Sequence, residues 1–325
     1  MALQKEQTDF EQALSRLLVE CMGLCKGESC LVVCDTGRRG IATFFCEAAR
    51  HISAEAKLSV VQSPGAKGWA PDTLLQLEKE MATPDVILLL TGQSLSHTDA
   101  RRRAVKRGAR LVSMPGITAE MLQRAAQADY GVISKRSERL RDILTHADTI
   151  SVETELGTAI NFSVRGMQGH MEDGLYNRPG TWGNMPAGEA CIGPEEGTSE
   201  GVIVVDCSMS TIGPLEEPLI IRVQGGRAAE IEGKQATALL KRLSPFGRAA
   251  LTVAEFAMGT NEWAQLSGVV LEDEKVFGTA HFALGNNVSF GGSTDVLIHL
   301  DGVLRAPTVT VDGRRIMERG QHLPL

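Results

Sequence analysis

The sequence lacks the features of a membrane-embedded, secreted or nucleic-acid-binding protein. No apolar run approaches the roughly 20 residues that cross a bilayer. The N-terminus, MALQKEQTDFEQALSRLL, carries acidic residues instead of the apolar centre of a signal peptide. The net charge is −7 and the pI about 5.6, so the basic surface that binds nucleic acids or lipid head groups is not expected. We therefore expect a cytoplasmic protein with no nucleic-acid partner and no membrane partner.

Two common cysteine and glycine motifs are also missing. The seven cysteines include no CxxC pair, which fits a reducing compartment and argues against a cysteine metal cluster. The loop DTGRRG follows the first predicted strand but matches neither GxGxxG nor GxxxxGK[ST], so nucleotide binding is not expected. Aromatic residues make up only 4% of the chain, which gives little support for a large stacking pocket.

The chain of 325 residues is long enough for two domains. A helix is predicted over about residues 8–25, and strands such as SCLVVCD and DVILLLTG then alternate with helices such as IATFFCEAARHI. From residue 148, short alternating segments such as TISVETELGTAINFSV predict antiparallel strands, interrupted by two helices, KQATALLKRLSPFG and RAALTVAEFAMG. We predict an α/β fold, with a Rossmann-like parallel-sheet domain at 1–147 and an α+β metal-binding domain rich in antiparallel strands at 148–325.

The second half places acidic and imidazole side chains where its pattern predicts core or a tight turn. In NMPAGE, Pro186 and Gly188 form a turn directly before Glu189. In LTVAEFAMGTN, Glu255 interrupts an apolar segment, and an isolated buried carboxylate costs several kcal/mol unless it is paired or metal-bound. DVLIHLDG places His299 and Asp301 on one face of a strand, because successive side chains alternate.

Two more residues extend this set. In LEDEKVFGTAHFALG, Glu274 is followed by His281, which stands between apolar neighbours. Taken singly, each residue of the set fits an ordinary turn acid, surface charge or core histidine. Taken together, several carboxylates and two histidines suit a divalent ion such as Zn²⁺, Mn²⁺, Co²⁺ or Fe²⁺. The predicted metal ligands are Glu189, Glu255, Glu274, His281, His299 and Asp301.

The motifs NMPAGE, VAEFAMGTN, DEKVFGTAHFALG and IHLDG, in this order, resemble the aminopeptidase T and aminopeptidase S family of metallo-aminopeptidases. The resemblance covers roughly residues 148–320 and implies a homodimer. It also implies two metal ions held by glutamates, histidines and an aspartate, here Glu189, Glu255, His281, His299 and Asp301. The related 2,5-dihydroxypyridine 5,6-dioxygenases hold one Fe²⁺ with two histidines and one aspartate, and their first histidine falls where this chain has Glu255.

We therefore expect a metallohydrolase with one or two zinc, cobalt or manganese ions, which cleaves an amide bond in a short peptide or small molecule with a metal-activated water. Glu189 or Glu255 would act as the general base. The alternative is a ring-cleaving dioxygenase with one Fe(II), for which His281, His299 and Asp301 would be the ligands. A binding module without catalysis is the third possibility.

We expect substrate-binding residues in the segment SVRGMQGHMEDGLYNRPGTWG, which precedes Glu189 and is rich in glycine. Arg165, His170, Tyr176 and Arg178 are the candidates for binding a substrate carboxylate, arginine because its guanidinium makes bidentate hydrogen bonds. The same residues equally fit an ordered surface loop.

Overall fold

The structure is a computed structural model that describes residues 11–52, 55–63, 68–96 and 98–324. The α-helices with both ends in these ranges are α1 (Arg39–Ile52), α2 (Pro71–Glu80), α3 (Asp99–Arg107), α4 (Ala119–Gln127), α5 (Tyr130–Thr145), α6 (Ala236–Leu243) and α7 (Val270–Asp273). A π-helical segment lies at Leu17–Cys21, and 3₁₀ helices lie at Thr36–Arg38, Ser244–Leu251 and Val288–Phe290. The predicted first helix is helical over 11–21, and its start at residues 8–10 lies outside the described residues.

The strands fall into one parallel and two antiparallel sheets. In chain order they are β1 (Ser29–Asp35), β2 (Glu55–Val61), β3 (Val86–Leu90), β4 (Arg110–Ser113), β5 (Thr149–Glu153), β6 (Ala159–Ser163), β7 (His170–Glu172), β8 (Trp182–Asn184), β9 (Glu189–Ile192), β10 (Glu200–Val205), β11 (Ser208–Met209), β12 (Gly213–Pro214), β13 (Leu219–Gln224), β14 (Arg227–Glu232), β15 (Val253–Gly259), β16 (Ala280–Gly285), β17 (His299–Leu304), β18 (Thr308–Val311), β19 (Arg314–Glu318) and β20 (Gln321–His322). The predicted fold class is confirmed.

The chain divides into two compact units, Met1–Tyr130 with Gly174–Ala187, and Gly131–Asp173 with Gly188–Leu325. The first unit contains the five-stranded parallel sheet, in the order β2-β1-β3-β4-β8. All five residues of β3 are buried, as expected for a strand covered on both faces. The predicted domain boundary between residues 147 and 148 remains a prediction.

The second unit contains the two antiparallel sheets. Their orders are β14-β13-β10-β6-β5-β18-β19-β20 and β12-β11-β17-β16-β15-β9-β7. Apolar side chains from both sheets form one buried cluster, in which Phe162 of the first sheet contacts Phe256 and Phe282 of the second at centroid distances of 5.5 and 5.8 Å. This core uses one face of the seven-stranded sheet and leaves its other face for polar side chains.

The helix predicted for RAALTVAEFAMG is wrong. The structure has a 3₁₀ helix that ends at Leu251, followed by the strand β15. All seven residues of β15 are buried between β9 and β16, so the strand shows no alternation of apolar and polar residues. A short apolar run of this kind cannot be told from a buried helix by periodicity. The neighbouring segment KQATALLKRLSPFG does contain the predicted helix, α6.

None of the helices in the described part of the chain has the length and apolar character of a segment that crosses a bilayer.

Candidate metal centre

The register of the seven-stranded sheet brings seven acidic and imidazole side chains to one face. Directly opposed residues of neighbouring antiparallel strands project to the same side. Ala283 of β16 is paired with both Glu255 and Asp301, and Gly285 is paired with His299. The same pairing relates the other residues, so the polar face carries His170, Glu172, Glu189, Glu255, His281, His299 and Asp301.

Small residues separate these long side chains on the polar face. Ala257 stands opposite His281, and Gly259 stands opposite Glu189. Residues at alternate positions, such as Phe256 and Phe282, point instead into the apolar core. The polar face therefore has room for the charged groups to converge instead of lying flat along the strands.

His299 is oriented so that one ring nitrogen faces two carboxylates. Its Nδ1 lies 2.8 Å from the carbonyl oxygen of Asn286, which can only accept a hydrogen bond, so Nδ1 carries a proton. Its Nε2 lies 2.9 Å from Glu255 Oε2 and 3.2 Å from Asp301 Oδ1. A neutral imidazole would direct a lone pair at these oxygens. A proton or a metal cation must therefore lie between them.

His281 and Glu189 complete the convergence. His281 Nε2 lies 3.6 Å from Glu189 Oε2 and 3.8 Å from Glu255 Oε1. Glu189 Oε2 and His281 Nδ1 are buried and have no hydrogen-bond partner among the described residues, which costs about 1–3 kcal/mol for each such atom. One ligand atom each from Glu255, His281 and Asp301 lie within 4.8 Å of one another. The geometry and the unpaired atoms fit a divalent cation.

The electrostatics agree with this interpretation. Burial alone would raise the pKa of Glu255, but hydrogen bonds from His281 and His299 outweigh it and hold that pKa well below its usual range. Burial lowers the pKa of His281, yet Glu255 and Glu189 raise it to about 9. Without a metal ion, the imidazoles are thus protonated and face the carboxylates. A bound metal ion would replace the protons that lie between these groups.

A buried lysine lies at the other side of Glu189. Lys275 follows α7, and its Nζ lies 2.6 Å from Glu189 Oε1, 2.8 Å from Glu274 Oε1 and 3.2 Å from Glu172 Oε2. Glu274, predicted as a metal ligand, is buried and paired with this ammonium. Burial raises the pKa of Glu274 to about 7, against the opposing effect of Lys275.

The predicted substrate-binding residues lie in different environments, at the surface and on the polar face. Arg165 forms an exposed ion pair with Asp148. His170 packs edge-on against Phe290 at a centroid distance of 6.0 Å, and Phe290 stacks on His299 at 5.7 Å.

Two of these candidates belong to the other compact unit. The Tyr176 hydroxyl donates a hydrogen bond to the carbonyl oxygen of Asn184, and the Arg178 carbonyl accepts one from the hydroxyl of Thr181. Within the unit that holds the polar face, His170 is the candidate on that face, opposite Cys191 of β9, and its ring also contacts Phe290.

Four residues of this region were not anticipated from the sequence: Glu172, Lys275, Asn286 and Phe290. Lys275 stands in the run EDEK, which has the composition of a solvated turn. Asn286 acts through its backbone carbonyl, which any residue would supply. The run GNN after the AHFAL strand is a local signal of a turn there.

Glu196 anchors the connection that carries Phe290. Its carboxylate accepts hydrogen bonds from the side chains of Asn287, Ser293 and Thr294 and from the backbone N–H groups of the last two. These bonds, chiefly those from Ser293 and Asn287, lower the pKa of Glu196 to about 2. Its contribution to stability is therefore present above about pH 4.5 and is lost as the pH falls toward 2.

Replacing Glu196 with alanine should loosen this connection and destabilise the fold only modestly, by about 1 kcal/mol, because the carboxylate is exposed. Hydrogen exchange should accelerate at the amides of residues 287–294. Glu195→Ala is the matched control, since the carboxylate of Glu195 bonds to Ser163 instead. Unchanged exchange in the Glu196 variant would show that the connection is held by other contacts.

Comparison with known proteins finds a matching family model, a curated relative and similar solved structures. The family model NicX, 2,5-dihydroxypyridine 5,6-dioxygenase, matches residues 9–324. A curated 2,5-dihydroxypyridine 5,6-dioxygenase from Pseudomonas putida KT2440 is 23% identical over 303 residues, which cover 84% of either chain. The solved structure of 2,5-dihydroxypyridine dioxygenase from P. putida KT2440 matches with a TM-score of 0.82 and 18% identity over 98% of both chains. Wild-type AmpT from Thermus thermophilus matches with a TM-score of 0.70 and 15% identity, over 98% of this chain and 99% of that chain.

These matches correct the expected activity. The predicted metallohydrolase is wrong, because the family model and the curated relative are both dioxygenases. The aminopeptidase assignment is not confirmed: the likeness to AmpT, at 15% identity, shows a related fold and no more. Glutamates, histidines and an aspartate on the strands of this fold suit more than one divalent-metal chemistry, so the motifs did not decide between the two reactions. The match over residues 9–324 does decide the family, and the chain belongs to the 2,5-dihydroxypyridine 5,6-dioxygenase family.

Proposed function

We propose that this protein is an iron(II)-dependent dioxygenase that opens the ring of a dihydroxypyridine or a similar hydroxylated aromatic compound. The family membership and the activity named for the P. putida relative support this reaction class. The observation that carries the proposal is the convergence of two imidazole Nε2 atoms with the carboxylates of Glu255 and Asp301 on one buried face. Two imidazoles and a carboxylate are the ligand set typical of non-haem iron oxygenases.

His281, His299 and Asp301 would hold the iron. Glu255 lies between the two imidazoles, with one oxygen toward each, and adds a second carboxylate to the donor set. Cys191 is also near Glu189 and Glu255, and burial raises the pKa of its thiol well above the usual value. Ferrous iron, when bound to such a set, retains open coordination positions and supplies the redox chemistry that dioxygen requires.

Glu189 is placed to accept a proton from a substrate hydroxyl. Lys275 Nζ binds its Oε1, while its Oε2 has no hydrogen-bond partner among the described residues and lies 3.6 Å from His281 Nε2. The free oxygen thus faces the metal-binding side chains. A hydroxylated ring that binds there would bring its O–H group to an acceptor already fixed in orientation.

Substrate would approach from the side of His299 and Asp301. Their side chains are 11% and 18% exposed, whereas those of His281 and Glu255 are 2% and 5% exposed. Phe290 stacks on the His299 ring at this more open side, and the half-buried His170 packs against Phe290. We propose that these two rings contact the substrate ring.

The proposal is tested by oxygen consumption. Protein freed of metal with a chelator should regain activity toward 2,5-dihydroxypyridine when Fe²⁺ is added without oxygen and oxygen is then admitted. One molecule of O₂ should disappear for each ring opened, followed with an oxygen electrode and by the loss of ring absorbance. Zn²⁺ is the control, because it binds similar ligands but is redox-inactive.

Equal turnover with zinc and iron, or no oxygen uptake by protein shown to contain iron, would refute the proposal. Arg165, Tyr176 and Arg178 remain predicted substrate contacts, which substitution and KM measurements would test. The homodimer, the cytoplasmic location and the absence of nucleic-acid and membrane partners likewise remain predictions, and sedimentation would test the first.

A further inference from the structure

Lys275 has an unusual position for a lysine. Its side chain is 1% exposed, and its ammonium group lies within hydrogen-bonding distance of three carboxylates, those of Glu172, Glu189 and Glu274. An ammonium has three hydrogens to donate, so all three have acceptors. A divalent cation is often bound by several carboxylates that converge on one point. Here the Lys275 ammonium occupies that point.

The backbone holds Lys275 in this position. Its N–H donates to the carbonyl oxygen of Glu272, and its carbonyl accepts from the N–H of Asn261, both at 2.9 Å. Glu189, which receives the ammonium, is itself part of β9 and is paired with Gly259 of β15. The lysine is therefore buried, and hydrogen bonds of its own backbone fix the point from which its side chain extends.

We propose that the Lys275 ammonium takes the place of a second metal ion beside the iron site and so limits the centre to one metal. This inference rests on the proposed function, since it presumes one ion at His281, His299 and Asp301. A second ion at Glu189 and Glu274 would have to displace the ammonium or approach it closely. A divalent ion and the ammonium would then repel each other strongly, because a buried site screens charges weakly.

The same contact gives Glu189 its orientation. With Oε1 bound to Lys275, Oε2 points toward His281 and cannot rotate away without breaking the shorter bond. Lys275 is thus a positioning residue for Glu189 as well as an internal cation. A merely structural lysine would affect stability when it is replaced, but it would not change how many metal ions the protein takes up.

The test is metal stoichiometry, which needs no turnover. Chelator-treated protein is equilibrated with Mn²⁺, freed of excess ion, and analysed by elemental mass spectrometry and by calorimetric titration. Wild-type protein should bind one Mn²⁺ per chain, and Lys275→Ala should bind two, because three carboxylates then lack their cation. Lys275→Arg keeps the charge and should bind one. Lys57→Ala, which removes an exposed lysine from the ion pair with Glu80, is the matched control and should also bind one.

Two equivalents in the wild-type protein would overturn the inference, as would one equivalent in a folded Lys275→Ala variant. If the alanine variant does not fold, Lys275→Gln keeps two hydrogen-bond donors without the charge and should bind two; one equivalent there counts equally against the inference. These outcomes are separate from oxygen uptake: one Mn²⁺ in the wild-type chain together with two in Lys275→Ala supports the role of Lys275 even if dihydroxypyridine is not consumed.

Discussion

Protein with His299 replaced by alanine should fold normally but fail to retain iron, and its oxygen uptake should fall to background. His299 is the residue whose Nε2 faces both Glu255 and Asp301, at 2.9 and 3.2 Å. Its removal deletes one of the two imidazoles and leaves the two carboxylates to repel each other. Iron content by elemental analysis and turnover with dihydroxypyridine measure the two effects separately.

His146→Ala is the matched control for this experiment. His146 is exposed after α5, and its Nδ1 lies near the carbonyl oxygen of Asp142. This variant should keep both iron and activity. Full iron content in the His299 variant, with activity intact, would show that the imidazole is not a ligand. Full iron content with activity lost would place His299 in substrate binding instead.

The largest loss of stability is expected for Phe256→Ala. Phe256 is buried at the centre of the core between the antiparallel sheets, with ring centroids 5.5 Å from Phe162 and 5.2 Å from Phe282. Replacing such a phenylalanine leaves a cavity and costs about 3–5 kcal/mol in the free energy of unfolding. Because Phe256 adjoins Glu255 in β15, the variant should also bind metal more weakly.

Urea unfolding of metal-free protein measures this prediction without a contribution from ligand binding. Phe246→Ala is the control: Phe246 lies in the 3₁₀ helix before β15 and is 37% exposed, so its loss should cost far less. Equal destabilisation by the two substitutions would contradict the position of Phe256 at the centre of the core.

The sequence predicts the strands of this fold best where the pattern has a single interpretation. The apolar run in DVILLLTG is too short for a typical helix and is bounded by turn residues, and it forms the buried strand β3. RAALTVAEFAMG has a similar apolar content but contains alanines and a glutamate that favour a helix. There, pairing on both sides with β9 and β16 outweighs the local preference.

The sequence predicts mainly those residues of the candidate site that lie in strands. The spacing of His299 and Asp301 places them on one face, and Glu255 is conspicuous among apolar neighbours. Lys275 was not predictable, because its burial depends on the short helix α7 that turns EDEK inward. Glu172 ends a three-residue strand whose partner, β9, lies beyond a long connection. Periodicity carries no information on such a long-range pairing.

The proposed metal ligands and Glu189 come from β9, β15, β16 and β17, which are consecutive in one sheet. Since hydrogen-bonded strands lie about 4.7–4.9 Å apart, the backbone itself sets the lateral spacing of the donors. Inserting one residue before His281 within β16 would turn the imidazole into the apolar core. The chain between residues 288 and 298 lies outside these strands and carries Phe290, which stacks on His299. Changes in that connection would therefore act first on the contacts around Phe290, while the sheet still sets the strand positions of the donors.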